Sequence, residues 1–109
     1  MRLTVNIVPD GSEPLPEGAR VRVEVRDTSF ADALPNVVAS ASGVIAGSPT
    51  GGIEGLTLAV DSRPDSAVVW VHVDVGGTGR VAKGDFVSME ADPLPVENDA
   101  HLAVRVREV

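Results

Sequence analysis

The sequence predicts an all-β fold, an antiparallel two-sheet β-sandwich of about seven strands. Three observations carry that expectation. Apolar and polar residues alternate with period two along most of the chain, the pattern of a strand with one buried face. Valine supplies 20 of the 109 residues, and a β-branched side chain loses χ1 freedom in a helix. No segment carries a sustained i, i+3, i+4 apolar stripe, while clusters of Gly, Pro, Asp, Asn and Ser interrupt the alternation.

The strands follow in order. Leu3, Val5 and Ile7 alternate with Thr4 and Asn6. Ala19, Val21, Val23 and Val25 alternate with Arg20, Arg22, Glu24 and Arg26 in a half-buried strand. Val37 to Ala41 makes a weaker, small-residue strand, and Leu56, Leu58 and Val60 another, with Ile53 just before it. Val69, Val71, Val73 and Val75 alternate with Val68, Trp70, His72 and Asp74, so this strand is apolar on both sides near its start. A short strand at Phe86 to Glu90 precedes the last, where Leu102, Val104 and Val106 alternate with Ala103, Arg105 and Arg107. The breaks, among them Pro9 to Ser12, Pro14 to Gly18, Gly47 to Gly52, Gly76-Gly77 and Pro93 to Asn98, supply dihedrals that a strand interior does not use.

At 109 residues and 11.3 kDa the chain has room for a single domain spanning residues 1–109. Its 43% apolar content provides the surface needed to offset the entropy of ordering, which a disordered chain lacks. Cysteine is absent, so disulfides, thiolate metal sites and cysteine nucleophiles are excluded. Nine basic against sixteen acidic residues give a net charge of −7, the wrong sign for a nucleic-acid binder. No apolar run approaches the length of a membrane-spanning helix. The opening Met1 to Ile7 has no signal-peptide apolar core. The compartment is left open by the sequence: cytoplasmic as the chain stands, the cell envelope if a signal peptide has been removed.

Function is expected on the outward faces, because an antiparallel sheet of this kind shows water one side of each strand. Five of the nine basic residues, Arg20, Arg22, Arg26, Arg105 and Arg107, project from two strands. If those strands are neighbours they form a basic stripe on an acidic protein, a docking face for an acidic partner segment. The plainer reading is that exposed arginines guard strands against edge association and pair with Glu24 and Glu108. Trp70 shares the outward side of its strand with His72 and is a candidate anchor, since tryptophan is enriched at binding hot spots. The alternative is that it only covers its neighbours.

Two stretches resemble a known family. Gly18-Ala19-Arg20-Val21-Arg22-Val23-Glu24-Val25-Arg26-Asp27-Thr28-Ser29, followed by Ala31-Asp32-Ala33, is similar to a segment of the small lipoproteins named after YbaY and YscW. Val71-His72-Val73-Asp74-Val75, then Gly79-Arg80-Val81 and Gly84-Asp85-Phe86-Val87-Ser88, resembles that family's strand, glycine-rich hairpin and G-D-[FYL] motif. Pro93-Leu94-Pro95-Val96 matches its closing turn. The resemblance spans roughly residues 15 to 109 and implies a β-sandwich. It also implies a pilotin-type role, in which one member helps an outer-membrane secretin reach its place. The chain departs from the family in lacking a lipidated cysteine.

The sharpest chemical pattern is Asp74 to Asp85, set against the calcium-loop template D-x-[DN]-x-[DN]-G-x5-E. Asp74 stands at position 1, Gly79 at position 6 and Asp85 at position 12, with Thr78 at position 5. Position 3 is Gly76, and Lys83 adds a positive charge, so Asp74, Thr78 and Asp85 remain weak metal candidates beside an ordinary hairpin loop. His72 and Asp74 lie two apart on one face and could supply two metal ligands, with His101 the other histidine; a surface hydrogen bond is the simpler expectation. Asp27, Ser29 and Asp32 cluster after a strand. Ser29 has no histidine near it in sequence, which leaves backbone hydrogen bonding as the expected role. Gly47 to Gly52 lacks the lysine of a phosphate loop. These readings converge on a non-catalytic module with no cofactor that binds a protein or peptide segment, through strand addition and through Arg20, Arg22, Arg105, Arg107 and Trp70. The alternative is a calcium- or ligand-responsive module using the loop 74–85.

Overall fold

The computed structural model describes residues 1–11, 14–29, 36–45, 53–61 and 63–109. Asp32 and the glycine-rich run 47–52, singled out in the sequence, lie outside the described residues. Eight strands follow in chain order: β1 (Arg2–Pro9), β2 (Arg20–Asp27), β3 (Asn36–Val44), β4 (Ile53–Ala59), β5 (Ala67–Asp74), β6 (Phe86–Ser88), β7 (Asp92–Pro93) and β8 (Asp99–Glu108). The described residues contain no helix, so the all-β class stands. The strand beyond the seven expected, β7, is a two-residue pairing of Asp92 and Pro93 with Val69 and Val68 of β5, too short for alternation to reveal.

The two-sheet sandwich is corrected. All strands belong to one hydrogen-bonded sheet in the order β3-β2-β5-β6-β8-β1-β4, with β7 beside β5. Its end strands β3 and β4 come into contact, so the sheet curls into a nearly closed barrel. Irregular registers between Val5 and Ile7 of β1 and between Val25 and Arg26 of β2 supply bends, as bulges do. The physical reason for the difference is simple: period two fixes which side chains face inward, and is silent on whether facing layers share one ladder. A second correction concerns direction. β1 and β8 pair in parallel from Arg2↔Asp99 to Pro9↔Val106, while the other pairs are antiparallel.

The interior is where the alternation placed it. Leu3, Val5 and Ile7 of β1, Val21, Val23 and Val25 of β2, Val69, Val71 and Val73 of β5, and Val104 and Val106 of β8 are 0–1% exposed. Leu15, Ala19, Ile45, Leu58, Val60, Leu94 and Ala100 complete the same cluster. A barrel of about eight strands is just wide enough for its side chains to fill, and small valines suit that space. Val71 is fully buried, so Val71→Ala removes two carbons and leaves a void. Chemical denaturation is expected to show a loss of about 2–3 kcal/mol. Val96→Ala, at a residue 78% exposed, should stay within about 0.5 kcal/mol of the parent.

Candidate functional site

The outward face of β2 and β5 is built by cross-strand pairing. Arg20 lies opposite Asp74, Arg22 opposite His72 and Glu24 opposite Trp70. On the other side of β2, Val44 lies opposite Arg20, Ser42 opposite Arg22 and Ser40 opposite Glu24. Glu24, expected at the surface, is only 8% exposed. Its carboxylate accepts from Arg22 Nε at 2.9 Å and from Arg26 Nε and Nη2 at 3.0 and 2.7 Å. The Arg26 guanidinium in turn sits 4.6 Å from the centroid of the Trp70 ring, a cation–π contact. Trp70 therefore faces outward, half-buried beneath its neighbours.

His72 is buried, at 7% exposure. Its partner is not Asp74, two residues away, but Asp85 across the hairpin: Nε2 donates to Oδ2 at 2.9 Å. Asp85 is 1% exposed and also accepts from the amides of Val75 (2.9 Å), Gly76 (3.3 Å) and Ala82 (3.0 Å). Hydrogen bonding from His72 first, then from the amides of Gly76, Ala82 and Val75, outweighs the opposing cost of burial and lowers its pKa from 3.8 to about 2. Asp74 accepts from the amides of Gly77 (2.9 Å), Thr78 (3.3 Å) and Gly79 (2.8 Å). Each carboxylate thus gathers three backbone amides of one loop. Gly79 holds a φ of 78° and Gly84 one of 95°, a left-handed region that other residues enter at a cost.

This arrangement bears directly on the metal candidates. Ligand atoms of His72, Asp74 and Asp85 lie within 4.8 Å of one another. Yet every one of the four carboxylate oxygens already faces an N–H donor, whose positive end occupies the direction a cation would take. The Thr78 hydroxyl donates to the Arg80 carbonyl at 3.0 Å and accepts from the Arg80 amide at 3.3 Å, so it too closes the turn. Calcium requires six to eight oxygens, and this loop spends its acids on its own backbone. His101 lies on β8 opposite Thr4, apart from the cluster.

The expected basic stripe is corrected as well. β2 and β8 are not neighbours, since β5 and β6 lie between them. Arg107 is opposite Val87 of β6, which is opposite His72, so Arg22 and Arg107 end one row roughly 14 Å apart at about 4.8 Å per strand. Arg105 pairs with Asp10 at 2.9 Å. What the structure does bring together is a cleft of about 480 Å³ lined by Arg20, Val21, Arg22, Ser42, Gly43, Val44, His72, Asp74 and Gly79. Arg20 and Arg22 were legible as candidates; the contribution of β3 was not, because a Ser-Ala-Ser-Gly strand announces no chemistry. Ser29 is committed to structure: its amide donates to Asp27 at 2.9 Å and its hydroxyl contacts Ser66. The Ser29 hydroxyl and amide hold the Asp27 carboxyl below its usual range.

The molecule is thus a curled, single-sheet β-module with a charged outer face. That architecture is shared with a solved structure described as an alternative pilotin from the type II secretion system of Vibrio cholerae. The two are 22% identical, align over 100% of this chain and 96% of that one, and superpose with a TM-score of 0.75. A likeness at this identity shows the fold, and the pilotin-like fold expected from the sequence stands. No protein-family model matches the chain, and no curated protein is similar to it in sequence.

Two outcomes follow from the loop. The folded pKa of Asp85 lies below its unfolded value, so its stabilisation is present above about pH 4 and is lost as pH falls toward about 2. Acid titration of unfolding should show a fall in Tm across that window, with Asp85→Asn less stable at pH 7 and less acid-sensitive. In a calorimetric titration with calcium to about 1 mM, the committed carboxylates should yield no binding heat and no shift in Tm.

Proposed function

We propose that this chain is a non-catalytic, protein-binding module of the pilotin type, related to the YbaY/YscW lipoproteins. The observation that carries the reading is the end-to-end likeness of its fold to a secretion-system pilotin, joined to the motifs quoted above. The chemistry of the outer face supports it. His72 is locked against buried Asp85, and Ser29 serves a local turn, so the candidate groups of a hydrolytic site are engaged elsewhere. Arg20, Arg22 and Trp70 lie on adjoining strands, while Arg105 and Arg107 face outward on β8, beyond β6. A partner segment that covers Trp70 gains a large rigid contact, and one that reaches the arginines gains charge-assisted hydrogen bonds. Strand addition at an edge is less favoured than expected from the sequence, because the end strands β3 and β4 come together.

The test is calorimetry with overlapping soluble segments of a secretin from the same cell. One segment is expected to bind with a Kd of about 1–10 μM, and Trp70→Ala, checked for folding by circular dichroism, should weaken it about tenfold. Absence of binding by every segment overturns the reading.

A further inference from the structure

We infer that the cleft between β3, β2 and β5 receives a short extended peptide segment carrying acidic side chains at alternate positions, acid-x-acid. The inference rests on the protein-binding reading and assigns its partner a chemistry. Arg20 and Arg22 are two residues apart on β2, so both side chains leave the same side of the strand roughly 6.7 Å apart. An extended segment laid along β2 repeats its own side chains at that same interval. Its two carboxylates then meet the two guanidiniums in register, whereas adjacent acids point to opposite sides.

The charges in the cleft are available for this. Arg20 lies directly opposite Asp74, yet makes no ion pair among the described residues. The Asp74 oxygens accept from the amides of Gly77, Thr78 and Gly79 rather than pairing with Arg20, and those dipoles partly offset the charge that this carboxylate brings to the cleft lining. Among the described residues Arg22 bonds to Glu24 through Nε alone, and its side chain, 59% exposed, lines the cleft. Asp85 is taken by His72 and three amides. At the rim, Val44 of β3 is 56% exposed and offers an apolar contact to a residue beside the acids. The surrounding protein selects for a short ligand. Its net charge is −7 and its extents are 36 × 29 × 20 Å, several Debye lengths of about 8–10 Å. A long polyanion or an anionic membrane meets repulsion over most of that surface, while a short segment feels only the local arginines.

The experiment is an NMR titration of the ¹⁵N-labelled chain with two blocked peptides of equal composition, Thr-Glu-Val-Glu-Val-Thr and Thr-Glu-Glu-Val-Val-Thr. The first is expected to shift the amides of Arg20, Arg22, Ser42, Gly43 and Val44 and to bind about fivefold tighter than the second. Arg20→Glu should weaken it about tenfold, and Arg20→Lys, which keeps the charge and the fold, about twofold to threefold. Arg2→Glu makes the same change in net charge on β1, where Arg2 meets only Asp99 among the described residues, and should leave binding within about twofold. Equal binding of the two peptides, equal effects of Arg20→Glu and Arg2→Glu, or shifts lying outside the cleft overturn the inference. Tighter binding of a single-stranded oligonucleotide at the same amides overturns it too, by assigning the site another class of ligand. If a secretin segment binds but is indifferent to Arg20→Glu, the cleft assignment falls and the protein-binding reading stands. If the acid-x-acid peptide binds as expected while no secretin segment does, the cleft assignment stands and the pilotin reading falls.

Discussion

Asp85 is the group around which the outer face is organised. One buried carboxylate receives the His72 ring and the amides of Val75, Gly76 and Ala82, while its own backbone carbonyl accepts from the amide of Val109 at 2.8 Å. It therefore ties the end of β5, the loop that follows and the C-terminal end of the chain to one point. Burying a charge is costly unless donors surround it, and here the donors win, as the lowered pKa records. The valine core supplies the larger share of stability through buried area. That term is indifferent to how loop 74–85 is shaped, and the directional bonds to Asp85 and Asp74 decide it.

The consequence for function is a separation of charges. Asp74 and Asp85 bond to the amides of their own loop rather than to the arginines, Asp85 buried and Asp74 on the cleft lining. Glu24 is treated differently, for Arg22 and Arg26 both hold it and Trp70 lies under Arg26. That group of one acid and two arginines is net positive by one charge, and Arg20 adds another. An acidic protein thereby keeps a small basic surface without placing extra basic residues there. Glu24 is 8% exposed, so the bonds from its two arginines offset the cost of burying its charge, while the exposed pairs Arg2–Asp99 and Arg105–Asp10 are individually worth little in water.

Much of the fold was legible in the sequence, and the limits of that legibility are specific. The inward positions of β1, β2, β5 and β8 followed from valine alternation, since each residue's neighbours two places away decide its face. The single curled sheet and the parallel pairing of β1 with β8 did not follow, because register between chain ends ninety-seven positions apart, as for Arg2 and Asp99, leaves no local trace. The separation of β2 from β8 was hidden for the same reason. His72 was paired in expectation with Asp74, the nearer acid, whereas its bond is to Asp85. A signal existed: a histidine on a strand apolar on both sides near its start is poorly placed to meet water and requires a buried partner, which Asp85 beside Phe86 supplies. The calcium-like spacing of Asp74, Gly79 and Asp85 was real but shared by two physical causes. The same glycines and acids that wrap an ion can wrap a backbone, and only the direction of the amides separates the two.

The filled interior bears on where any partner must sit. Eleven inward side chains of β1, β2, β5 and β8 are at most 1% exposed, so the interior is filled and any contact with another molecule falls on the outside, where β-branched alternation leaves every second position free to vary. On β2 those outside positions are Arg20, Arg22, Glu24 and Arg26, and on β5 they include Trp70 and His72. Residues of β3 then matter through what they lack: Ser40, Ser42 and Gly43 are small, so the strand beside the arginines forms a low wall and leaves the cleft open. Replacing Ser40 or Ser42, which lie opposite Glu24 and Arg22 on the outer face, by bulky side chains would keep the alternation and the core intact while closing the cleft. The space beside Arg20 and Arg22 is therefore not demanded by packing of the barrel, and this is the physical ground for reading it as a site of contact with another molecule.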